Sequence, residues 1–260
     1  MRPSPYNASV NLRHPLWSVA ALLLAGSAGA ILWWRHPPLA TGDWATGPPP
    51  HPWAAWQRQE RVWAQTGGPG IAYAYRPLEE ISRELAVAVV VGEDLGFFSH
   101  SGVDPRAIWE AVRQWFGGRR LRGASTLSQQ LARILFLSND RTLARKVREA
   151  RLAWWLDREL GKRRVLELYL NVVEFGPGVY GAEAAARRYY GCGAHQLDAT
   201  RAAGLAAAIP SPAVDNPATR SPRWRAREEI IAGRMTRVAW LWELLAAKGA
   251  GRLVKSGEPH

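Results

Sequence analysis

Cysteine is almost absent from this chain. Its 260 residues include one, Cys192, so no internal disulfide can form and the fold does not depend on oxidation. That leaves either side of a membrane open as its place of work. Acids are scarce as well, 22 against 34 basic residues, and the resulting net charge of +12 points to an anionic partner. Nucleic acid, an anionic lipid surface and a phosphorylated substrate all meet that description. Lysine is rarer still: Lys146, Lys162, Lys248 and Lys255 are the only four. The planar fork of arginine suits phosphate, although genome composition is the better explanation for the surface as a whole. No internal repeat is present, and no alternation is long enough to specify a strand.

Charge is missing altogether from residues 16–34, a run flanked by Arg13 and Arg35 with Trp17, Trp33 and Trp34 near its ends. At helical rise it spans about 28 Å, close to the hydrocarbon thickness of a bilayer, and terminal tryptophans suit headgroup belts. Ala28-Gly29-Ala30 could be a signal-peptide cleavage site, but the apolar run continues through Ile31 and Leu32. A single uncleaved transmembrane anchor is expected. Arg2 and Arg13 before it put residues 1–15 in the cytoplasm and the bulk of the chain outside. Residues 35–70 form a linker and juxtamembrane segment rich in proline and tryptophan. Its prolines read as a stiff spacer up to Trp53, and Trp53, Trp56 and Trp63 as core or as a face resting on lipid. Residues 71–250 are the expected domain and 251–260 a tail.

From Leu78 the periodicity is helical nearly throughout, with helices expected over 78–92, 105–116, 125–137, 141–160, 162–173, 181–190, 197–209 and 223–247. The fold class is therefore mostly α, in one domain. Five segments within it carry chemical groups. Glu93-Asp94 follows an apolar helix and runs into the irregular sequence Phe97-Phe98-Ser99-His100. A carboxylate so placed is held by the core yet can face a cleft, as a general base must; alone, the segment reads better as an ordinary helix-end acid with an aromatic plug, with His100 structural. Ser125, Gln129 and Arg133 share one face of the expected next helix, presenting hydroxyl, amide and guanidinium groups suited to sugars and phosphates. In the third segment Arg141, Arg145 and Arg148 line one side of a helix around Glu149. Clustered cations favour the charged form of that carboxylate, so Glu149 is expected in an electrostatic, positioning or metal-binding role. The last two segments, 162–171 and 178–191, read on their own as an amphipathic helix and a closely packed small-residue helix.

Together, in this order and spacing, the five segments from Glu93 to Gly191 resemble the five motifs of the peptidoglycan glycosyltransferases, glycosyltransferase family 51. The resemblance implies a lysozyme-like helical domain that polymerises lipid II into β-1,4-linked glycan outside the inner (cytoplasmic) membrane, releasing undecaprenyl pyrophosphate. It gives Glu93 the place of the catalytic base and Asp94 that of its companion. Ser125, Thr126, Gln129 and Gln130 match the substrate-cleft motif. Arg141, Lys146 and Glu149 match positions implicated in donor phosphate binding or catalysis, with Arg148 at a position basic in some members. Arg133-Ile134 replaces the usual Lys-Asn, keeping the charge but dropping a polar side chain. Implied partners are lipid II, the growing strand, the membrane, and cell-wall synthesis or division proteins, with no nucleic acid. No cofactor is obligatory; a divalent cation such as Mg²⁺ is compatible. Ser-x-x-Lys occurs nowhere, so no transpeptidase activity is expected. Two other readings compete. A lytic glycosidase would also carry two carboxylates, but it has no pyrophosphate for the cationic helix to stabilise. A tethered basic binding module would explain the charge but not the ordered carboxylate and amide segments.

Overall fold

The computed structural model describes residues 44–68, 70–106, 109, 113, 125–140 and 142–246. The anchor, both tails, Arg141 and most of the helix expected over 105–116 lie outside the described residues. Among the described residues, no helix is long and apolar enough to cross a membrane.

The architecture is mostly helical, as the periodicity predicts. Helix α1 spans Ala54–Thr66, α2 Arg83–Glu93, α3 Leu127–Phe136, α4 Leu143–Val172, α5 Ala182–Tyr190, α6 Ala199–Ala208, α7 Pro222–Met235 and α8 Ala239–Ala246. Helix α2 is the centre of the core, with every residue from Leu85 to Val91 buried. It packs on α6 and α7, and α3 packs along α4. Ser82 caps α2 by accepting the Leu85 N–H. The break expected at Gly161 is present as a kink within α4, where φ is 74°. The single helix expected over 223–247 is two, α7 and α8, because the chain turns at 236–238.

Three short strands escaped the sequence reading. Strand β1 (Ala72–Tyr73) pairs parallel with β3 (Val179–Tyr180), and β2 (Glu174–Gly176) pairs antiparallel with β3. Runs of two or three residues are too short for alternation to register. The part of the proline-rich segment from Trp44 to Trp53 does not stand clear of the domain as a spacer. Arg164 donates to the Trp44 carbonyl (2.8 Å), and the Trp44 ring meets Phe136 edge-on at 5.1 Å. Trp53 is buried against Trp56, Tyr73 and Tyr180, so its fate is core. Trp63 lies so close over Gly178 that any side chain there would collide with the indole, which fixes α1 to the β2–β3 turn.

Candidate active site

Glu93 ends α2 at the edge of a cleft, with its side chain 9% exposed. Each carboxylate oxygen has a donor from a different helix. The Gln130 amide on α3 donates to Oε2 (2.9 Å), and Arg227 on α7 donates to Oε1 (2.6 Å). The other end of the Gln130 amide accepts from the Tyr169 hydroxyl at 2.8 Å. Because a hydroxyl donates there, the amide oxygen faces Tyr169 and its NH₂ faces the carboxylate. Tyr169 is fully buried on α4; burial first, then the nearby Glu93 charge, raises its phenol well above the ordinary range, so it stays a donor.

Asp94 faces inward. Its carboxylate holds His100 Nε2 at 3.1 Å and accepts the Leu127 N–H at 3.0 Å, tying the end of α2 to the start of α3. His100 is thus a buried structural partner, as expected. Thr126 and Gln129 are also interior. Thr126 accepts the Gln129 N–H (3.1 Å) while the Gln129 side chain accepts the Thr126 N–H (3.0 Å), forming a capping box. The expected Ser125–Gln129–Arg133 face is therefore corrected. Ser125 precedes the helix, so helical spacing does not reach it, and Gln129 folds back on the N-terminus. The groups that do line the cleft are Ser125, Gln130 and Arg133. Behind them, Asp157 receives Lys162, the Gly102 N–H and Ser128, which bonds at 2.6 Å. Lys162 also sits 4.3 Å over the Phe97 ring, and burial lowers its ammonium from the usual range against the opposing pull of Asp157. Gly102 has φ +70°, and a Cβ there would strike the α4 backbone at Trp154.

Across the cleft from Glu93, the buried Glu149 carboxylate receives Arg145 on one oxygen and Lys146 on the other. Lys146 also donates to the Ser125 hydroxyl at 2.9 Å, joining α4 to the start of α3. Arg148 is exposed and does not line this cavity. Glu93, Ser125, Gln130, Arg133, Arg145, Lys146 and Glu149 thus surround one cavity of about 240 Å³. It adjoins two larger ones. One, about 410 Å³, is walled by α1 through Arg58, Gln59 and Val62, with Ile134 and Tyr180. The other, about 760 Å³, is walled by α7 through Arg223, Arg227, Ile230 and Arg234. Among the described residues no group of three His, Cys, Asp or Glu side chains is placed to hold a metal.

Sequence reasoning missed Tyr169 and Arg227. Tyr169 sits in an apolar helical run, and Arg227 is one of five arginines between 220 and 234, so neither carried a local signal. The Thr126-x-x-Gln129 pattern did carry one, as a capping-box signature at a helix start.

A family model described as Transglycosylase matches residues 62–236, which include every residue named around the cavity of about 240 Å³. The biosynthetic peptidoglycan transglycosylase of Aeromonas hydrophila is 41% identical over 194 residues, covering 75% of this chain and 77% of that protein. That of Azoarcus sp. strain BH72 is 40% identical over 229 residues, 86% and 96% of the two chains. That of Nitrosospira multiformis is 45% identical over 160 residues, 61% and 70%. With the cleft assembled from the matched region and relatives of this identity aligned across most of both chains, the chain belongs to the transglycosylase family.

Proposed function

We propose that this enzyme polymerises lipid II into glycan strands at the outer face of the cytoplasmic membrane, by a single inverting displacement and without transpeptidase activity. The observation that carries this reading is one cavity with a fixed carboxylate, Glu93, on one wall and the Lys146–Arg145–Glu149 cluster on the other. The sugar of lipid II is α-linked to pyrophosphate and the product bond is β-1,4, so the acceptor 4-hydroxyl must attack opposite the leaving group. As its oxygen bonds to the anomeric carbon, its proton passes to Glu93. The bond from that carbon to the phosphate oxygen breaks, and undecaprenyl pyrophosphate departs. Pyrophosphate needs no proton to leave; it needs positive charge already in place. Lys146 and Arg145 supply it, with Arg141 of the same segment as a further cation, and Glu149 orders the first two. Ser125, Gln130 and Arg133 place the sugars within reach of attack, while Asp94, Thr126 and Gln129 hold the wall from within.

A divalent ion fits this donor set poorly, since both oxygens of Glu149 already receive cations. The test uses the full chain in detergent with labelled lipid II. Wild type is expected to yield polymer; Glu93→Gln is expected to bind lipid II and yield none. Polymerisation by Glu93→Gln at a near-normal rate would remove Glu93 from the role of base.

A further inference from the structure

Helix α7 lies outside the 93–191 stretch that carries the resemblance, yet it places a cation on Glu93. Arg227 Nη2 donates to the Gly92 carbonyl (2.9 Å) and to Glu93 Oε1 (2.6 Å). One turn pair further along, Arg234 donates to the Val91 carbonyl at 3.2 Å. Two α7 arginines therefore satisfy carbonyls that the end of α2 leaves without helical partners. Capping alone does not require the second contact of Arg227. That contact, with Gln130 on the other oxygen, fixes the plane of the Glu93 carboxylate from two helices and leaves its remaining lone pairs for the acceptor hydroxyl.

We propose that Arg227 is a positioning residue for the Glu93 base: together with Gln130 it holds the carboxylate plane in which the acceptor hydroxyl must meet it. This rests on the reading of Glu93 given above. Other charged and titratable groups also surround Glu93. Arg133 comes from α3; Tyr169, Arg145, Lys146 and Glu149 come from α4; Arg223 and Arg234 come from α7; Asp215 lines the α7-side cavity, where it pairs with Arg223. Asp94 is turned away, engaged with His100. Of these, Arg227 is the one bonded to the Glu93 carboxylate, so its removal should act on the base more than on the general field.

The experiment compares wild type, Arg227→Lys and Arg227→Gln, all full chain, in lipid II polymerisation at limiting and saturating substrate. Arg227→Gln shortens the side chain and removes the bond that holds the carboxylate, so its kcat should fall about 10²-fold. KM should stay within about threefold, because the residue acts on the base rather than on binding. Arg227→Lys keeps the charge but not the fork, so its kcat should recover to within roughly three- to tenfold of wild type. An unchanged kcat in Arg227→Gln, or a loss confined to KM, overturns the proposal and leaves a helix cap. If Arg227→Gln does not fold, Arg227→Lys carries the test alone, and an unchanged kcat there overturns it. A wild-type chain that makes no polymer from lipid II refutes the underlying assignment of function, an outcome distinct from any of these.

Discussion

Tyr169 and Gln130 form a coupled pair whose effect on Glu93 can be measured without touching Glu93. The Tyr169 hydroxyl is buried and donates to Gln130 at 2.8 Å, and the amide then donates to Glu93 at 2.9 Å. Tyr169→Phe deletes one neutral bond and leaves the Gln130 oxygen unpaired, a loss of about 1–3 kcal/mol in stability. The amide is still favoured in its working orientation, since a flipped oxygen would face the carboxylate. About 1 kcal/mol of that preference is lost with the hydroxyl, so the polymerisation rate should fall roughly fivefold. Gln130→Leu removes the donor to the base outright, with an expected rate loss of ten- to hundredfold. It also strands the buried Tyr169 hydroxyl, at a cost of about 1–3 kcal/mol. In the double variant both polar partners are gone. Its stability should therefore recover towards wild type, and its rate should match Gln130→Leu within about twofold. Urea denaturation gives the stabilities, and initial rates with labelled lipid II at saturating substrate give the kinetics. If the two rate losses multiply, Tyr169 acts on catalysis by a route other than Gln130. If stability falls further in the double variant, the hydroxyl–amide bond is not the link.

Thr126→Ala removes an N-cap that also bonds the Gly102 carbonyl; it should lose about 1–2 kcal/mol in urea unfolding with KM unchanged. Asp94→Ala strands His100 and the Leu127 N–H, so a loss of roughly 2–5 kcal/mol is expected by the same measurement. Lys146→Met should cut kcat by about 10²–10³ while lipid II binding, read by fluorescence titration, survives. Burial acts to raise the Glu183 carboxyl, but the Ala194 N–H, Arg187 and Arg76 prevail and lower it below its ordinary 4.5. A depressed carboxyl stabilises above its unfolded value and loses that contribution as pH falls through the folded one. Wild type should thus lose stability on acidification below about pH 4.5, and Glu183→Gln should show a flatter acid limb in thermal melts.

Most of the helices were legible because an apolar stripe at helical spacing is a long, redundant signal. The buried run of α2 and the break at Gly161 needed no tertiary knowledge. The strands were not legible, because β1 and β3 pair across more than a hundred residues and neither is long enough to show its period. In the candidate site the segments were legible but their facing was not. A helix begun two residues early, at Ser125 rather than Leu127, put Gln129 in the cleft, and the capping box puts it in the wall, leaving Gln130 beside Glu93.

The exchange of Gln129 for Gln130 bears on how a glycosyl-transferring cleft is built. Of the polar residues in the motif segments, Glu93, Ser125, Gln130, Arg133, Arg145, Lys146 and Glu149 face the cavity, while Asp94, Thr126 and Gln129 bind backbone, His100 or one another behind it. An unpaired buried polar group costs as much as a lost bond, so the rear residues admit few substitutes even though no substrate need touch them. A sequence motif merges the two sets because both are polar and both are required. Only the hydrogen-bond partners separate them, and those partners lie up to 134 residues away, as Arg227 does from Glu93. Substitutions in the rear set should therefore lower stability and activity together, whereas those in the front set, apart from Gln130 with its Tyr169 partner, should lower activity with the fold intact.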